Sequence, residues 1–464
     1  MAATPDPADS APPATAADRY RDVEQLLVRR WPETRLEPSL DRIAALVDLL
    51  GDPQHAYPVV HLTGTNGKTS TARMVDALLR ALGLRTGRFT SPHLESTVER
   101  ISLDGEPIPR GRFVEVYDEV SPYADLVDRS GQHPLSFFEF VTAMAYAAFA
   151  DAPVDAAVIE VGMGGSWDST NVADASVAVV LPIAVDHSKY LGDDPVGIAE
   201  EKAGIIKPGS FAVLAQQSVE VAEVLLRRAA EVGDNVAREG FEFGVVDRLS
   251  GMGGQMVTLQ GLGATYDEVF LPLYGAHQAQ NAACALAAVE AFAGGKGLDG
   301  GLDVEVVREA FATVTSPARL EVVRRSPTVV LDAAHNPHGA EALVEAMQES
   351  FAFSPLIGVV GVMADKDVEP IIDALEPIMA TIVCTQNSTH RALPAEDLAE
   401  VARGSFGPDR VEVAPQLDDA LELAIGLAET SGRQDVAPGS GGVLVTGSVI
   451  TAGEARTLLG GNRR

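Results

Sequence analysis

The chain has 464 residues, of which 46% are hydrophobic, so it can bury a large core and form two or three domains. Its formal net charge of -31 argues against nucleic acid or an anionic membrane as the main partner, because phosphate groups are bound through accumulated positive charge. No long apolar run predicts a membrane span, and the first residues lack the basic start and apolar stretch of a secretion signal. We therefore expect a cytoplasmic protein.

The start of the chain has the composition of a tail. Residues 1–19 are rich in Ala, Pro, Asp and Thr, which predicts disorder up to about residue 20. The whole chain contains two cysteines, Cys284 and Cys384, each in an apolar segment. A disulfide framework is therefore not expected, and both side chains are predicted to be buried free thiols.

The first strong pattern is a candidate phosphate-binding loop. YPVVHL predicts a buried strand, GTNGKT follows as a glycine-rich turn, and the spacing of Val75, Leu78, Leu79 and Leu82 predicts a helix. The loop is shorter than the usual nucleotide-binding pattern. Backbone N–H groups at the helix start and the charge of Lys68 nevertheless suit phosphate oxygens. The alternative is an ordinary strand-to-helix turn that contains glycine, but the order of strand, turn and helix favours nucleotide binding.

Strand and helix patterns then alternate, which is typical of a doubly wound, mostly parallel α/β sheet. LRTGRFT, DAAVIEVG, SVAVVLPIA and FAVLA predict strands, and helices are predicted over 113–127, 137–150 and 197–203. FEFGVV, MVTLQG and EVFLPL predict a small antiparallel patch, followed by an Ala-rich helix over 277–292. We assign residues 20–314 to this large domain of the P-loop type.

A second alternating set predicts a smaller, Rossmann-like α/β domain. A Gly-rich break and a helix over 304–314 precede it. The predicted strands lie in TVVLDAAHNP, LIGVVGVM, TIVCT, VEVAP and GGVLVTGS, with helices between them. We place a hinge at residues 315–321 and the second domain at residues 322–464.

Polar side chains follow several strands of the first predicted sheet. Ser91 follows RTGRFT, Glu160 ends DAAVIE, Asp186 and His187 follow SVAVVLPIAV, and Lys202 lies in EKAGIIKPGS. Ligands of open α/β sheets bind beyond the carboxyl ends of the strands, so these groups are expected to surround the phosphate loop. Hydroxyl and carboxylate oxygens are the ligands that Mg²⁺ prefers, and one imidazole would also accept Mn²⁺.

Each of these residues has a simpler explanation that the sequence leaves open. Ser91 precedes a proline and suits a turn, and His187 suits a core position with a satisfied ring. The local sequence around Lys202 favours a solvated helix face, where the lysine pairs with an acidic neighbour. Burial of an unpaired Glu160 would be costly, so a functional partner is favoured there.

Two polar clusters follow strands of the second predicted domain. Asp332 ends a strand, and His335 and Asn336 come at a helix entry, where Asn336 also suits a capping role before Pro337. The Asp-Lys-Asp segment at 365–367 follows GVVGVM and suits either a ligand contact or a solvated loop.

In chain order, these segments resemble the folylpolyglutamate synthase and dihydrofolate synthase family of the Mur ligase superfamily, of the bifunctional bacterial type. The matching segments are GTNGKTS, TSPHLESTVERI, FFEFVTAMA, EVGMGG with DSTN, DH followed by YLG, EKAGI, QAQNAACAL, DAAHNPHGA and DKD. Each is weak alone, but their order and spacing are highly specific. The resemblance implies that residues 20–314 form an ATP-binding central domain and residues 322–464 a C-terminal ligase domain on the glutamate and nucleotide side.

The resemblance implies an ATP site built from both domains. The implied phosphate contacts are Thr65, Asn66, Gly67, Lys68 and Thr69, and the implied contacts with base, phosphates and ribose are Asn281, Arg319 and Asp332. Arg319 lies in the predicted hinge, so closure of the second domain would deliver it to the phosphates.

Two Mg²⁺ sites are implied as well, with Mn²⁺ tolerated. Ser91 and Glu160 match the ligands of one ion, and His187 and Lys202 match those of the other, with Lys202 as a carbamate. Carbamylation would turn a cation into an anionic oxygen ligand, which clustered divalent ions stabilise. The resemblance thus overrides the solvated-face interpretation of Lys202.

Three segments match pterin-binding positions of the family. Their residues are Leu36, Glu37 and Pro38, then Ser136, Phe137, Phe138 and Glu139, and then Trp167, Asp168 and Ser169. The pair Phe137 and Phe138 suits a flat heterocycle, although core packing is the ordinary role of such a pair.

The chain departs from the family pattern at three places. Ser166 stands where an Arg is usual after the double glycine, and Lys189 stands where an acid is usual after DH. Val449 and Ile450 stand where an aromatic region is expected. Neither Ser166 nor Lys189 is an implied phosphate or metal ligand.

The implied reaction is amide ligation, in which ATP phosphorylates a substrate carboxylate and L-glutamate attacks the acyl phosphate. The expected catalytic groups are Lys68, Lys202, Arg319 and His335, with His335 as a candidate proton acceptor. The implied substrates are dihydropteroate, reduced folates, L-glutamate and ATP, and the family expectation is a monomer. A cell-wall amino-acid ligase and a degenerate ATP-binding protein are the alternatives, and the close match of TSPHL and DAAHNP favours the folate branch over the first.

Overall fold

The computed structural model describes residues 16–32, 38–131, 133–294, 301–430 and 440–460. The strands of its largest sheet are β1 (Val59–Thr63), β2 (Thr86–Phe89), β3 (Ile101–Leu103), β4 (Glu106–Pro107), β5 (Ala156–Glu160), β6 (Val177–Val180), β7 (Phe211–Leu214) and β8 (Asn235–Arg238). Their order is β4-β3-β2-β5-β1-β6-β7-β8, with β3 and β4 antiparallel at one edge and the other strands parallel. β1 and β5 are buried throughout, as expected for central strands covered on both faces.

Two further sheets follow in the chain. The strands of the small antiparallel sheet are β9 (Gly244–Gly251), β10 (Gly254–Gln260) and β11 (Thr265–Leu271). Those of the C-terminal sheet are β12 (Glu321–Arg325), β13 (Thr328–Leu331), β14 (Leu356–Val360), β15 (Thr381–Cys384), β16 (Val411–Val413) and β17 (Gly442–Thr446). The C-terminal sheet has the order β12-β13-β17-β14-β15-β16 and is parallel except for β12. The predicted fold class is confirmed.

The helices cover both faces of the two large sheets. They are α1 (Ala16–Val28), α2 (Asp41–Leu49), α3 (Lys68–Ala81), α4 (Arg110–Ser130), α5 (Phe137–Asp151), α6 (Ser188–Leu191), α7 (Pro195–Lys202), α8 (Val219–Val232), α9 (Ala276–Gly294), α10 (Val304–Ala312), α11 (Pro337–Ser350), α12 (Val368–Leu375), α13 (Ala395–Phe406), α14 (Leu417–Thr430) and α15 (Val449–Leu458). Short 3₁₀ turns cover Pro53–His55, Thr97–Arg100, Ser169–Val172, Ala203–Ile205, Glu376–Ile378 and Pro408–Arg410. No helix in the described ranges has both the length and the apolar character needed to cross a membrane.

The cores lie between these layers. α3 and α9 pack on one face of the first sheet together with the small antiparallel sheet, and α1, α2, α4 and α5 pack on the other face. Two separate apolar clusters cover the faces of the C-terminal sheet. Cys284 and Cys384 are buried free thiols within these cores. The carboxyl ends of the parallel strands of both sheets therefore remain available for polar groups.

Regular structure begins earlier than the predicted end of the tail. α1 starts at Ala16, within the segment assigned to the tail, because Tyr20, Val23 and Leu27 are buried and anchor the helix. Residues 1–15 lie outside the described part of the chain.

Several other elements were not predicted from the sequence. The strands β3, β4, β8 and β12, which lie at or next to a sheet edge, are short and carry polar residues, so they lack the apolar runs of the central strands. α8 has a regular buried stripe of Val221, Val224, Leu225 and Ala229 that could have been recognised. In the antiparallel patch, β9 begins at Gly244, later than FEFGVV predicts.

The predicted hinge, residues 315–321, is a loop that runs into β12. Ala318 and Leu320 have left-handed backbone conformations, with φ of 54° and 49°, which non-glycine residues adopt rarely and only with support. Part of the support comes from Asp332, because the Leu320 N–H donates to its Oδ2 at 3.0 Å. The hinge motion and the domain boundaries remain predictions.

Candidate active site

The phosphate loop joins β1 to α3, and its geometry requires glycine at two positions. Gly64 and Gly67 have φ of 145° and 86°, a region that favours glycine. A Cβ on Gly64 would lie 2.7 Å from Leu181 Cβ, and one on Gly67 would lie 2.5 Å from Asn281 Oδ1. Glycine therefore lets the loop pass between β6 and α9 without a clash.

Two lysines converge on this loop. The Nζ atoms of Lys68 and Lys202 both donate to the Gly64 carbonyl, at 2.9 and 3.0 Å. Lys202 is 4% exposed, so the solvated-face interpretation drawn from its local sequence is wrong: the end of α7 is packed under the loop. Burial lowers the pKa of Lys68, and burial together with the Lys68 charge lowers the pKa of Lys202 to about 7. Part of the Lys202 population is therefore a neutral amine near pH 7.

A buried carboxylate lies next to the loop at the end of β5. Glu160 accepts the Thr69 hydroxyl at 2.9 and 3.0 Å and the Ser91 N–H at 3.3 Å. Burial raises the pKa of Glu160 to about 6, although the Lys68 charge opposes this rise. Among the described residues, no three His, Cys, Asp or Glu side chains are close enough to hold a metal by themselves. A divalent cation at this position would need further oxygen ligands beside Glu160, from hydroxyl groups and from a bound substrate.

A second buried carboxylate, Asp186, lies where the two large sheets meet. Lys366 Nζ donates to Asp186 Oδ1 at 2.6 Å, and Asn336 Nδ2 donates to Oδ2 at 3.0 Å. Asn336 and Asn66 also exchange amide hydrogen bonds of 3.2 and 3.1 Å. We call Asp186, Asn66, Asn336, His335 and Lys366 the Asp186 junction. It connects the phosphate loop directly to the second half of the chain.

Two histidines approach the same carboxylate. The Nε2 atoms of His187 and His335 lie 3.8 and 3.7 Å from Asp186 Oδ2. Burial lowers the pKa of His187 to about 3 and that of His335 to about 4, so both rings are neutral near pH 7. Burial raises the pKa of the Asp186 carboxyl, but the surrounding basic groups outweigh burial and lower this pKa overall. Since both rings are neutral near pH 7, the cation in direct contact with Asp186 is the Lys366 ammonium.

The three remaining predicted ATP residues lie around the loop. Asn281 is buried beside Gly67 and donates to Gln278 Oε1 at 3.2 Å. Asp332 accepts the N–H groups of Leu320 and Ala334, and burial raises the pKa of its carboxyl while the Arg319 charge opposes this rise. The charge of Arg319 also acts on Glu160. Arg319 is thus close to carboxylates from both halves of the chain.

A cleft of about 580 Å³ opens beside the junction. The residues that line it include Ser136, Phe138, Glu139, Trp167, Asp168 and Ser169. They also include Ser91, His187, His335, Lys366, Val449 and Ile450. The cleft therefore brings most of the predicted pterin residues together with Ser91, His187 and His335.

The aromatic pair of α5 is divided between the cleft and the core. Phe138 lines the cleft, whereas Phe137 is buried with the Arg100 guanidinium 4.8 Å from its ring centre. Successive helical residues point in different directions, so one helix face cannot present both rings. Pro38 is exposed, and Leu36 and Glu37 lie outside the described residues.

A capping box and an ion pair hold the start of α5 in place. Ser136 and Glu139 form a reciprocal capping box, and Arg42 Nε donates to Glu139 Oε1 at 2.9 Å. Arg42 also lines the cleft but was not predicted as a site residue. The position of this arginine in an ordinary amphipathic helix carries no local signal of a functional role.

The turn of residues 165–167, which we call the Trp167 turn, is hydrogen-bonded to α7. Glu201 Oε1 accepts the N–H groups of Gly165 and Trp167 at 3.2 Å each, and its carbonyl accepts the Ser166 hydroxyl at 3.0 Å. Ser166 therefore takes part in holding the turn, and it is not among the residues lining the cleft. The other departure, Lys189, is exposed beside the Tyr190 ring. Neither departure disturbs the phosphate loop or the Asp186 junction.

Comparison with known proteins agrees with this geometry. The family described as "Mur ligase, glutamate ligase domain" matches residues 318–449. A Mycobacterium tuberculosis dihydrofolate synthase/folylpolyglutamate synthase is 53% identical over 455 residues, covering 94% of this chain and 93% of that protein. The chain belongs to the dihydrofolate synthase/folylpolyglutamate synthase family.

Solved structures of this family have the same fold. Mycobacterium tuberculosis folylpolyglutamate synthase complexed with ADP and AMPPCP superposes with a TM-score of 0.91 at 52% identity, covering 96% of this chain and 99% of that chain. Escherichia coli FolC in complex with DHPP and ADP superposes with a TM-score of 0.83 at 29% identity, covering 97% and 99%. Family membership favours the folate branch over the two alternatives, whereas the individual ligand assignments remain predictions.

Proposed function

We propose that this protein is an ATP-dependent ligase that adds L-glutamate to dihydropteroate and to reduced folates. The observation that carries the proposal is one cleft lined by Phe138 and Trp167 and by His335 and Lys366 of the Asp186 junction. The junction is in turn hydrogen-bonded to the phosphate loop through Asn66 and Asn336. A nucleotide and a flat organic acid can meet there. The names of the relatives, and the ADP and DHPP bound to two of them, support the same substrates.

The first step requires ATP phosphates at the start of α3. The N–H groups at that helix start and the Lys68 ammonium bind the phosphates, with Thr65, Asn66, Gly67 and Thr69 around them. A carboxylate oxygen of the pterin or folate attacks the γ-phosphorus, the bond to ADP breaks, and an acyl phosphate forms. Lys68 and Arg319 neutralise the developing charge, since both lie near Glu160.

The second step joins glutamate to the acyl group. The amine of L-glutamate attacks the acyl carbon, the C–N bond forms, and phosphate leaves. His335 Nδ1 donates to the Ala333 carbonyl at 2.9 Å, which leaves the Nε2 lone pair available as the acceptor of the ammonium proton. The neutral state of this ring near pH 7 fits that role.

The donor set beside the loop fits hard divalent cations. We assign Ser91 and Glu160 to one Mg²⁺ and His187 and Lys202 to a second, with Mn²⁺ tolerated because of the imidazole. Such ions, when bound, supply positive charge for the transferring phosphoryl group. An ammonium cannot ligate a cation, so Lys202 would contribute as a carbamate, which forms from a neutral amine and carbon dioxide. Labelling with ¹³C-bicarbonate tests this, because a carbamate resonance should appear in the wild type and be absent from Lys202→Arg.

The remaining assignments complete the site. Asn281 and Asp332 would hold the base and ribose of ATP, and Ser136, Phe138, Glu139, Trp167, Asp168 and Ser169 the pterin. The cleft would hold one pterin or folate at a time, and a monomer is sufficient because one chain supplies all these groups.

Phosphate release tests the proposed function. Purified protein is supplied with Mg²⁺, ATP and L-glutamate and with dihydropteroate, tetrahydrofolate or a UDP-linked muropeptide as acceptor, and the products are identified by mass spectrometry. Turnover with both pterins supports the bifunctional activity, and turnover with one restricts it to that branch. Turnover with the muropeptide alone, or none despite ATP binding, would refute the proposal.

A further inference from the structure

Asp168 is a buried carboxylate in the cleft wall that the reaction steps do not use. The side chain is 3% exposed and lies at the start of the 3₁₀ turn Ser169–Val172. The Thr170 N–H donates to Oδ1 at 3.0 Å, the Met163 N–H donates to Oδ2 at 2.9 Å, and the Thr170 hydroxyl donates to Oδ1. The backbone of Gly162 donates to the same carboxylate, and Asp168 also lines the cleft, so a ligand there can reach this carboxylate.

The Thr170 hydroxyl continues this network into the core of the first sheet. His61 Nε2, on the central strand β1, lies 2.9 Å from Thr170 Oγ1. Thr170 has one hydroxyl hydrogen, and it is directed to Asp168, so His61 must donate from Nε2. His61 therefore donates to the Thr170 hydroxyl, and the Thr170 hydroxyl donates to the Asp168 carboxylate.

His61 is an unusual residue for its position. The imidazole is fully buried in a strand covered on both faces, and its Nδ1 has no hydrogen-bond partner in the described structure. A valine or leucine would fill this position without burying an unpartnered nitrogen. The compensating contribution of the imidazole is its N–H donation to Thr170, because the ring makes no other hydrogen bond within the described residues.

The network opposes the effect of burial on Asp168. Burial raises the pKa of this carboxyl, and the Thr170 hydroxyl makes the strongest opposing contribution, ahead of the backbone N–H groups. The backbone of Thr170 is itself anchored, since the Tyr146 hydroxyl donates to its carbonyl at 2.7 Å. A carboxylate that these donors hold in a fixed direction is a strong acceptor for an N–H group of a ligand.

We propose that His61 and Thr170 are positioning residues that hold Asp168 Oδ2 as the acceptor for an N–H donor of the pteridine ring. This inference rests on the proposed function, because it needs a pterin in the cleft. The 2-amino group and the adjacent ring N–H are the donors that such a heterocycle presents on one edge. His61 and Thr170 do not contact the ligand and act through Asp168.

The test combines substitutions with a substrate analogue. Thr170→Val removes the hydroxyl at constant shape, and Thr170→Ser keeps it. His61→Leu removes the donor, and His61→Gln offers an amide N–H at a similar distance. The initial rates of glutamate ligation are measured with dihydropteroate and with its analogue carrying a methyl in place of the 2-amino group. The ATP concentration dependence is recorded for each variant.

We expect the wild type, Thr170→Ser and His61→Gln to prefer the natural pterin by about tenfold in kcat/KM, as for one hydrogen bond to a charged group. In Thr170→Val and His61→Leu, KM for dihydropteroate should rise by about tenfold, KM for the analogue should change little, and the preference should be lost. KM for ATP should stay unchanged, since a general loss of structure would alter it too.

Other outcomes would overturn the inference. If Thr170→Val and His61→Leu keep the wild-type preference, the hydrogen bonds of His61 and Thr170 have no role in recognition of the pterin. If KM for ATP and for both pterins rises together, the residues are merely structural. If Thr170→Val does not fold, the pair His61→Leu and His61→Gln decides. A wild type that ligates no pterin refutes the proposed function itself. A wild type that ligates dihydropteroate and its analogue equally refutes only the positioning role of His61 and Thr170.

Discussion

One buried carboxylate lies beside the phosphate loop and another lies in the Asp186 junction, but the pKa values of these two carboxyl groups are shifted in opposite directions. Burial dominates at Glu160 and raises its pKa to about 6. At Asp186 the surrounding groups outweigh burial, and Lys366 donates directly at 2.6 Å. Glu160 is the acceptor of two neutral donors, Thr69 and the Ser91 N–H, whereas Asp186 has a full cation. Under the proposed function a bound cation would complete the first environment, whereas Lys366 already supplies the counter-charge of the second.

The largest effect should come from the cation of the phosphate loop. Lys68→Ala should lower kcat by about 10²- to 10³-fold, because the variant lacks a charge that stabilises the transferring phosphoryl group. Phosphate release at saturating ATP measures this. Lys189→Ala, at an exposed position, is the matched control and should retain wild-type turnover. If Lys68→Ala also retained it, the loop would not be the reaction centre.

Substitution of Asp186 in the junction should lower the free energy of unfolding. Asp186→Asn keeps the shape but leaves the Lys366 ammonium, 10% exposed, without its counter-charge. Loss of one partner of a buried pair costs about 3 kcal/mol or more in the free energy of unfolding. Urea unfolding followed by circular dichroism measures the change. The control is Asp365→Asn, whose pair with Arg391 is about 40% exposed on both sides and should cost less than about 1 kcal/mol. Equal costs would contradict the comparison.

Glu160 should make the protein less stable as pH rises. The folded-state pKa, about 6, is above the ordinary value of 4.5, so the folded state binds more protons between these pH values. The contribution of Glu160 is therefore fully present below about pH 4.5 and falls by about 2 kcal/mol by pH 6 and above. Glu160→Gln should lack this loss and be more stable than the wild type at pH 7, in EDTA without nucleotide.

The measurement for Glu160 is the urea midpoint at a series of pH values between 4 and 8. Glu160→Gln should also be inactive, so stability and activity change in opposite directions. A constant difference between the two proteins across this range would show that the carboxylate is not destabilised by burial.

The smallest effect is expected at the departure from the family pattern. Ser166→Ala loses one hydrogen bond to the Glu201 carbonyl and should lower the free energy of unfolding by about 1 kcal/mol or less. Turnover should change little, since Ser166 is outside the phosphate loop and the junction. Thermal unfolding and phosphate release measure both. A large loss of turnover would mean that the Trp167 turn controls the cleft.

The fold was predictable where the signal is local. Central strands such as β1 and β5 are apolar runs, and α3 and α9 have clear helical patterns, so the two sheets could be predicted in order. The short strands β4, β8 and β12 could not, because their residues are partly exposed, and β3 could not because three residues are too few for a pattern. The unusual environment of Lys202 was also not predictable from its neighbours. EEKAG has the charge pattern of a solvated helix end, and only the packing of α7 under Gly64 buries the amine.

The sequence by itself determined the strand, glycine turn and helix of the predicted phosphate loop, because the residues from Thr63 to Thr69 are contiguous and their pattern is local. Only the tertiary structure revealed the contacts of the Asp186 junction and the hydrogen bond between His61 and Thr170. Asp186 and Lys366 are 180 residues apart, and His61 and Thr170 are 109 apart. Neither pair has a periodicity that marks it. Parallel strands bring distant strand ends to one edge of a sheet, and the apposition of two such edges creates contacts that no local pattern contains.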